Sequence, residues 1–376
     1  MGMAGGGPGS FIGPVHRMAA ELDGNIELVA GAFSQDAGKS KAAAQTYGID
    51  EARAYANYEE MIAAETKRAD GIDFVAIVTP NHLHLPIARA AMEAGLHVMS
   101  DKPATANFQE ALDLKNIVER TNRLYALTFT YTGYPLVREA REICRRGELG
   151  AIRKVMVEYL QGWLTQPLEK MGQKQAEWRS DPAKSGIGGC IGDIGVHAFN
   201  LLEYVTGQPV KKLSATLRTM VAGRALDDDC SAMLVFENGA PGILAASQIA
   251  VGERNGLRLR VYGEKGSLEW YQEDPNRLQL KWLDRPDQTL HAGSAFLSEA
   301  ARHATRLPLG HPEGFVEAFA NIYRDFSHAI FERQERPDAS LSGSVCGIEE
   351  GVRSMAFMER AIGSSKADGA WTALEY

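Results

Sequence analysis

The first residue that could do chemistry is Lys102, in the stretch Met99-Ser100-Asp101-Lys102-Pro103 at the end of a short apolar strand. A buried ammonium group without a partner costs free energy, so a lysine here needs either water or a ligand. Pro103 biases Lys102 toward an extended backbone, and a cis Lys-Pro bond is rare and usually purposeful in folded proteins. The triplet predicts a lysine that points from a strand end into a ligand site, or else an ordinary loop with a solvated lysine.

The second candidate is an acid/base pair, Asp193 and His197, in the glycine-rich segment 186–204. Four residues apart on a helix, the two side chains would face the same side, one turn from each other. An aspartate beside a histidine raises the proton affinity of the imidazole and fixes its orientation, as general acid/base catalysis requires. The spacing also suits a helix-capping aspartate followed by a structural histidine, and it leaves both interpretations open.

A glycine-rich loop opens the chain and is the first element that would position these groups. Its pattern, G-x-G-x5-G, is two residues longer than the usual dinucleotide fingerprint. Glycines suit such a loop because a pyrophosphate must approach the backbone closely and rest on a helix N-terminus. The cofactor-binding candidates here are Gly5, Gly7, Phe11, Ile12 and Gly13. The apolar face of the following helix is predicted to consist of Val15, Met18, Ala19 and Leu22.

Two alternatives accompany this loop. The glycines alone also suit a flexible, glycine-rich terminus. Only four residues precede Gly5, so either the first strand is very short or the sequence as given lacks part of it.

The second strand is predicted over 26–33, and its end should read the adenosine ribose of a dinucleotide. A carboxylate there would accept a hydrogen bond from the 2′-hydroxyl and favour NAD. This chain has Ser34 instead, which does not repel a 2′-phosphate, and Lys39 could reach one. Asp36 lies close by and could still supply a carboxylate. The choice between NAD and NADP therefore stays open.

Further buried strands are predicted at 72–78, 96–99 and 124–129, with helices between them and Asn107 as the cap of the helix that ends near Thr121. This alternation, with short connections, is typical of a doubly wound parallel sheet. Ligands of such sheets bind outside the C-terminal ends of the strands. The candidates after the third and fourth strands are Thr79, Pro80, Asn81, His84, Asp101 and Lys102.

After a helix near 134–146 the pattern changes to that of a mostly antiparallel sheet. Residues 152–163 alternate, with Val155, Val157 and Tyr159 on one face, and several shorter strand-like runs follow. The predicted fold is α/β, with a Rossmann domain over 1–131 and an α+β domain over 132–376 that carries a large open sheet. The last helix, about 344–362, is predicted to pack back on earlier elements.

Composition excludes several classes of function. A chain of 376 residues with 45% hydrophobic and 23% charged residues is typical of a globular enzyme with two domains. Its net charge of −8 and scattered basic residues provide no electrostatic footprint for nucleic acid or membrane. Four widely spaced cysteines indicate a reduced, cytoplasmic protein without a thiolate metal site, and no metal is expected.

Three motifs, in order along the chain, resemble those of the glucose-fructose oxidoreductase / inositol dehydrogenase / MocA (Gfo/Idh/MocA) family, and the resemblance covers essentially the whole chain. The family's Glu-Lys-Pro reads Asp101-Lys102-Pro103 here, and its Thr-Pro-Asn-x-x-His spans 79–84. Its glycine-rich Asp-x-Gly-x-His spans 193–197, preceded by Trp178-Arg179. Two departures are Asp101 in place of the usual Glu, and Asn200 where many members have Asp.

The resemblance implies an NAD- or NADP-dependent dehydrogenase or reductase acting on a hydroxyl of a sugar, sugar derivative or cyclitol. Lys102 would hydrogen-bond the reacting hydroxyl, His197 would take its proton, and Asp193 would hold the substrate and orient the histidine. Trp163 and Arg179 are further substrate-binding candidates. The resemblance also implies a homodimer or homotetramer formed through the open sheet.

Two other functions suit the same fold. An NAD-dependent glycoside hydrolase would oxidise its substrate transiently, with no net redox change. A non-catalytic, dinucleotide-binding sensor has no need to keep Lys102, Asp193 and His197 together, so retention of all three argues against it.

Overall fold

The computed structural model describes residues 1–7, 9–341 and 343–376. The chain divides into unit 1 (Met1–Thr130 and Phe315–Val352) and unit 2 (Tyr131–Gly314 and Arg353–Tyr376). The strands are β1 (Gly2–Gly5), β2 (Ala30–Ala32), β3 (Phe74–Val78), β4 (His97–Ser100), β5 (Tyr125–Leu127), β6 (Ile152–Leu160), β7 (Val210–Arg218), β8 (Asp229–Phe236), β9 (Pro241–Ser247), β10 (Gly256–Gly263), β11 (Gly266–Tyr271), β12 (Arg277–Trp282), β13 (Gln288–His291) and β14 (Thr372–Ala373). The α-helices are α1 (Ile12–Glu21), α2 (Ala37–Thr46), α3 (Tyr58–Glu65), α4 (His84–Glu93), α5 (Phe108–Thr121), α6 (Pro135–Arg145), α7 (Lys174–Arg179), α8 (Pro182–Ser185), α9 (Val196–Thr206), α10 (Glu299–His303), α11 (Phe315–Glu335) and α12 (Ile348–Lys366).

Unit 1 contains a parallel sheet in the order β2-β1-β3-β4-β5. A single parallel bridge joins Gly31 of β2 to Ala54, so one further residue pair is added to the sheet on the outer side of β2. The strand order reverses between β1 and β3, which is where doubly wound sheets bind their ligands. The prediction of a Rossmann-type parallel sheet is confirmed.

The predicted bounds of β2 are wrong. The expected strand covered 26–33, but only Ala30–Ala32 pair, because β1 begins at Gly2 and its register starts at Ala30. The residue before that ladder, Val29, donates its N–H to the carbonyl of Met1 at 3.1 Å. β1 itself spans four residues, Gly2–Gly5.

The buried face of α1 differs from the predicted one. Val15 and Ala19 are buried as expected, but Met18 and Leu22 are 49% and 46% exposed. Fully buried His16 takes their place, with its Nδ1 2.6 Å from the hydroxyl oxygen of Tyr323. Burial lowers the pKa of His16 to about 4, so the ring is neutral at neutral pH. The periodicity of α1 could not predict this face, because the helix that packs on it, α11, is distant in sequence.

Helix α11 belongs to a different unit from the one that the sequence predicted. The second domain was predicted to run over 132–376, but Phe315–Val352 belongs to unit 1. The reason is packing, since Phe319, Tyr323 and Phe326 of α11 join the apolar core that contains β1, β3 and α1. The first boundary, at 130/131, lies one residue from the predicted 131/132.

Helix α5 begins where its sequence predicts. The side-chain oxygen of Asn107 accepts the N–H of Glu110 at 3.0 Å, and its amide donates to the Glu110 carboxylate at 2.8 Å. This reciprocal cap satisfies a backbone donor that the first helical turn leaves open. The helix ends at Thr121 and is followed by Asn122 in the left-handed conformation.

Unit 2 contains a sheet in the order β13-β12-β11-β10-β6-β9-β8-β7-β14. Its pairings are antiparallel except for β6 with β9, which confirms the prediction of a mostly antiparallel sheet. Val155, Val157 and Tyr159 are buried on one face of β6, as their alternation predicts. Strand β13 was not predicted.

Asp193 lies in a π-helical turn, Ile191–Gly195, that leads into α9. The N–H of Val196 reaches back to the carbonyl of Ile191, five residues earlier, which is the hydrogen bond of a π-helix. The prediction of one regular helix here is therefore wrong, and positions four apart do not stack as they would in an α-helix. The start of the turn is held by Asp227, whose carboxylate accepts the N–H groups of Gly189 at 2.7 Å and Ile191 at 2.8 Å.

Membrane-spanning helices, metal-binding clusters and disulfides are absent from the described residues. No helix there combines the length and apolar character that crossing a bilayer requires. No group of three or more histidine, cysteine, aspartate or glutamate side chains there is arranged to hold a metal ion. All four cysteines are free thiols.

Candidate active site

The glycine loop after β1 packs too tightly for side chains. Gly5 has a φ of +89°, and a Cβ there would clash with the carbonyl oxygen of Val78. A Cβ on Gly7 would clash with the carbonyl of Phe33 in the same way. The N–H of Gly13, in the first turn of α1, donates to the hydroxyl of Ser10 at 3.2 Å. The loop therefore brings bare backbone to the start of a helix, which fits the pyrophosphate of a dinucleotide.

Thr79, at the end of β3, adds a polar group beside this loop. A Cβ on Gly5 would come within 2.8 Å of the Thr79 methyl group, so the two residues are neighbours. The Thr79 hydroxyl is buried and finds no hydrogen-bond partner within the described part of the chain. A buried hydroxyl without a partner costs free energy, so a ligand atom at this position would be favourable. This orphaned group also fits a bound dinucleotide.

The end of β2 holds the residues expected to read the ribose. The hydroxyl of Ser34 accepts the N–H of Asp36 at 3.2 Å. The Asp36 carboxylate in turn accepts the N–H of Lys39 at 2.9 Å, so it caps α2. Lys39 is exposed in the first turn of that helix. Of the two remaining loop candidates, Phe11 is 67% exposed and Ile12 packs partly against the core.

Lys102 lies just beyond the end of β4, and its backbone N–H is held by the carboxylate of the preceding residue. The Asp101 carboxylate accepts the Lys102 N–H at 2.8 Å and the Thr128 hydroxyl at 3.1 Å. On the other side, the Lys102–Pro103 peptide is cis. A carboxylate one residue away needs only the short aspartate side chain to reach this N–H, which gives Asp101 a structural role at this position.

His84 connects the loop after β3 to the loop after β4. Its Nδ1 lies 2.8 Å from the carbonyl oxygen of Pro103, and its Nε2 lies 2.9 Å from that of Thr79. Burial lowers the pKa of His84, so the neutral ring donates to one carbonyl at a time. Pro80 and buried Asn81 begin the short 3₁₀ turn between the two contacts. Both ring nitrogens of His84 therefore face backbone, although the sequence placed this residue among the cofactor-binding candidates.

Replacing His84 with leucine is expected to lower the free energy of unfolding by about 1–3 kcal/mol, because a buried carbonyl would lose the N–H that the ring donates to it. Urea denaturation measures the change. His82→Leu is the matched control, since His82 is exposed in the same turn and its substitution should stay within about 0.5 kcal/mol. Equal stabilities of the two variants would contradict the connecting role of His84.

In unit 2, Asp193 is held by an ion pair and a hydrogen bond from other elements. The Nε of Arg179, at the end of α7, lies 3.3 Å from Oδ2 of Asp193. The amide of Gln248, just after β9, donates to the same oxygen at 2.8 Å. Arg179 also stacks on the ring of Trp178, with 4.3 Å from its guanidinium carbon to the ring centroid. Asp193 is thus a carboxylate with a paired charge and a fixed orientation.

His197, in the first turn of α9, lies between two tyrosine rings. The ring centroids of Tyr131 and Tyr159 are 5.6 and 5.9 Å from that of His197, both edge to face. The hydroxyl of Tyr159 donates to the side-chain oxygen of Asn255 at 2.6 Å. Burial, aided by the charge of Asp193, raises the pKa of Tyr159 to about 12, so this phenol stays neutral. The imidazole thus lies between two aromatic rings whose hydroxyl groups are both hydrogen-bonded.

Two other sequence candidates lie near this network. Trp163 donates its indole N–H to Gln161 at 2.9 Å, and the amide of Gln161 donates to Asn255 at 2.9 Å. Asn200, which stands where many family members have Asp, is 4% exposed and accepts the hydroxyl of Tyr131 at 2.8 Å. An aspartate could accept the same bond, so this departure preserves the contact.

Within each unit the structure brings most of the candidates together. The unit 1 candidates lie at the carboxyl edge of four neighbouring strands, β2, β1, β3 and β4. In unit 2 a direct ion pair joins Arg179 to Asp193, whereas Trp163 is connected to the tyrosine beside His197 only through intervening amides. Sequence reasoning missed Gln248, Tyr131 and Asn255, because they follow no motif and are brought in by sheet pairing and helix packing.

Comparisons with known proteins agree with this architecture. A family model described as "Oxidoreductase family, NAD-binding Rossmann fold" matches residues 1–129, and one described as "GFO/IDH/MocA C-terminal domain" matches residues 137–269. The chain is 34% identical over 374 residues to "Uncharacterized oxidoreductase YfiI" of Bacillus subtilis, covering 98% of this chain and 95% of that protein. It is 28% identical over 330 residues to levoglucosan dehydrogenase of Pseudarthrobacter phenanthrenivorans, covering 80% and 79%.

A solved structure extends the likeness to the whole fold. An inositol dehydrogenase homolog from Azotobacter vinelandii, complexed with NAD⁺, superposes with a TM-score of 0.94 at 35% identity, covering 99% of this chain and 96% of that one. The same homolog complexed with NADH and myo-inositol gives a TM-score of 0.91, with the same identity and coverage.

Proposed function

The chain belongs to the Gfo/Idh/MocA family of NAD-binding oxidoreductases, and on that premise we propose which reaction it performs. The proposed reaction transfers a hydride between a nicotinamide cofactor and a secondary hydroxyl or ketone of a sugar, sugar derivative or cyclitol.

The observation that carries the proposal is the carboxyl edge of the parallel sheet in unit 1. There the glycine loop follows β1, the orphaned hydroxyl of Thr79 follows β3, and Lys102 follows β4, on adjacent strands. A dinucleotide on this edge would rest on the loop and the N-terminus of α1. Lys102 lies just beyond the end of β4 on that edge, and its ammonium group could donate a hydrogen bond to the reacting oxygen of a substrate.

Lys102 is assigned to the reacting hydroxyl. Its ammonium group donates a hydrogen bond to the hydroxyl oxygen and stabilises the negative charge that develops as the proton departs. The Asp101 carboxylate accepts the backbone N–H of Lys102, which fixes the position of the backbone from which the side chain extends. When bound, the nicotinamide supplies the hydride acceptor or donor.

His197 is assigned as the base that takes the hydroxyl proton, and it returns that proton in the reverse direction. Removing the proton as the hydride leaves avoids an isolated charge on the substrate. Asp193 is assigned to hold the substrate and orient the imidazole, and it forms an ion pair with Arg179. Arg179 and Trp163 are assigned to the substrate-binding surface.

The end of β2 is assigned to cofactor selection. The carboxylate of Asp36 is engaged in capping α2, which leaves Ser34 as the first polar side chain after the strand. The hydroxyl of Ser34 is compatible with either a ribose 2′-hydroxyl or a 2′-phosphate beside it. The positive charge of Lys39 would favour the phosphate. Both cofactors are therefore compared in the test of function.

A spectrophotometric screen tests the proposed reaction. Purified protein is incubated with a panel of polyols and sugars, including myo-inositol and levoglucosan, and with NAD⁺ or NADP⁺ in turn. Steady formation of reduced cofactor with any of them is the expected result. Release of aglycone from chromogenic glycosides without net cofactor reduction would instead favour the hydrolase, and cofactor binding without any turnover would favour the sensor.

The open face of the unit 2 sheet is assigned to homo-oligomer formation, as a homodimer or homotetramer. Met233 of β8 and Ile243 of β9 are directly paired across the strands, and they are 55% and 40% exposed. Tyr262 on β10 is 37% exposed. Exposed apolar residues grouped on a sheet are typical of a surface that another protein covers, and a second copy of this chain is the proposed partner.

Replacing Met233 with aspartate is expected to reduce the molecular mass of the particle in solution, because a charge would be buried without a partner. Size-exclusion chromatography with light scattering measures the mass. Leu22→Asp is the matched control, since Leu22 is similarly exposed but lies on α1. A monomeric wild-type protein, or an unchanged mass for Met233→Asp, would contradict the assignment.

A further inference from the structure

Gln248 connects the unit 2 sheet to the carboxylate of Asp193. The residue is only 2% exposed, and its amide donates to Oδ2 of Asp193 at 2.8 Å. A carboxylate only accepts hydrogen bonds, so the NH₂ end of the amide must face it. Arg179 approaches the same oxygen at 3.3 Å. Asp193 is therefore held by one ion pair and by one hydrogen bond from a neutral amide.

The backbone of Gln248 is fixed as firmly as its side chain. Its N–H donates to the carbonyl of Asp228 at 3.0 Å, and its own carbonyl accepts the N–H of Leu164 at 3.0 Å. Asp228 lies just before β8, and Leu164 lies in the segment after β6. Gln248 is therefore held between the ends of two other strands of the sheet.

A buried arginine links those two neighbours of Gln248 to each other. The side chain of Arg224 is 2% exposed, and its Nη1 lies 3.0 Å from Oδ2 of Asp228. Its Nη2 donates to the carbonyl of Leu164 at 3.0 Å. The carboxylate of Asp228 also accepts the N–H groups of Met220 and Val221. The backbone that carries Gln248 therefore has little freedom to move.

The two partners of Asp193 differ in what they contribute. Arg179 supplies a positive charge, whereas the neutral amide of Gln248 orients the Asp193 carboxylate through a hydrogen bond from a fixed backbone. We propose that Gln248 is a positioning residue for the reaction, which holds the Asp193 carboxylate in one orientation while leaving its charge unchanged. This inference rests on the proposed function, because the role of Asp193 toward substrate and His197 is part of that function.

Two substitutions of Gln248 distinguish loss of the hydrogen bond that orients Asp193 from a change in the charge around it. Gln248→Leu removes the donor and is expected to lower kcat/KM about ten-fold or more at every pH, as the loss of a hydrogen bond to a charged group does. Gln248→Glu places a second carboxyl group at hydrogen-bond distance from Asp193, and two such groups cannot both ionise without strong repulsion. At low pH the pair shares one proton, and the introduced group donates to Asp193 as the amide did.

The expected signature of Gln248→Glu is therefore a pH dependence. Its kcat/KM relative to the wild type should be highest at the acidic end of the measurable range and should fall as the pH rises and the shared proton is lost. Gln288→Glu is the matched control for added charge, because Gln288 lies exposed on β13 and its side-chain oxygen already accepts the Trp282 indole N–H. This control should follow the wild-type profile.

Asp193→Asn, measured alongside, separates the failure of this inference from failure of the proposed function. If Asp193→Asn loses activity but Gln248→Leu keeps wild-type kinetics, or Gln248→Glu loses the same fraction at every pH, the positioning role is wrong. If Asp193→Asn is as active as the wild type, or no substrate is oxidised, the proposed function is wrong. A crystal structure of Gln248→Leu then decides the positioning role by itself: a rotated or multiply oriented Asp193 carboxylate supports it, and an unchanged one overturns it.

Discussion

Lys102→Ala is expected to lower kcat by about 100-fold or more, which is the usual loss when a group that assists proton transfer or charge development is removed. The substitution deletes the ammonium group but leaves the Lys102 N–H, which donates to Asp101, in place. The loop that precedes the cis Lys102–Pro103 peptide should therefore keep its conformation. Initial rates at saturating substrate and cofactor measure the effect.

Lys115→Ala is the matched control for this lysine. Lys115 lies on the same unit, on α5, where its ammonium group pairs with exposed Glu349 at 2.8 Å. Exposed ion pairs contribute little to stability, so this variant should retain wild-type kcat. Thermal unfolding of both variants checks that the Lys102 effect is not a loss of folded protein. A near-wild-type kcat for folded Lys102→Ala would remove this lysine from the reaction.

His197→Ala is expected to lower kcat by about 100-fold or more and to change the pH dependence of the residual rate. A general base must be deprotonated to accept the hydroxyl proton, so the wild-type oxidation rate should rise with pH as that base titrates and then level off. Without it, the proton must leave to water or hydroxide, so the residual rate should either stay flat or rise with hydroxide concentration without reaching a plateau. The pH profile of kcat therefore distinguishes loss of a base from loss of packing between Tyr131 and Tyr159.

His291→Ala is the control for His197, since His291 lies exposed on the edge strand β13 of the same unit. It should keep both the rate and the pH profile of the wild type. If His197→Ala lowers the rate but retains the wild-type pH profile, another group is the base and His197 has only a packing role.

The elements set by local sequence signals could be predicted well. Asn107 caps α5 because its side chain reaches a backbone N–H three residues away, which is a local contact. The alternation of Val155, Val157 and Tyr159 reports a half-buried strand in the same direct way. The candidates of unit 1 follow strand ends, and a parallel sheet brings its strand ends to one edge. These three inferences needed no knowledge of distant contacts.

The features that were missed depend on residues far apart in sequence. Helix α11 covers His16 from about 300 positions away, so the periodicity of α1 could not show that its buried face includes a histidine. Gln248 meets Asp193 across 55 positions through the pairing of β9 in the sheet. The π-helical turn at Ile191–Gly195 was also missed, since helical spacing alone does not distinguish a wider turn from a regular one.

The most direct test of the account is the redox balance of the reaction. A substrate found in the screen is prepared with deuterium on its reacting carbon, and reduced nicotinamide and oxidised product are both quantified. The expected result is one reduced nicotinamide for each hydroxyl oxidised, with the deuterium on the nicotinamide ring, because hydride transfer moves that atom directly. Conversion of substrate without accumulation of reduced nicotinamide, or with the deuterium lost to water, would contradict it.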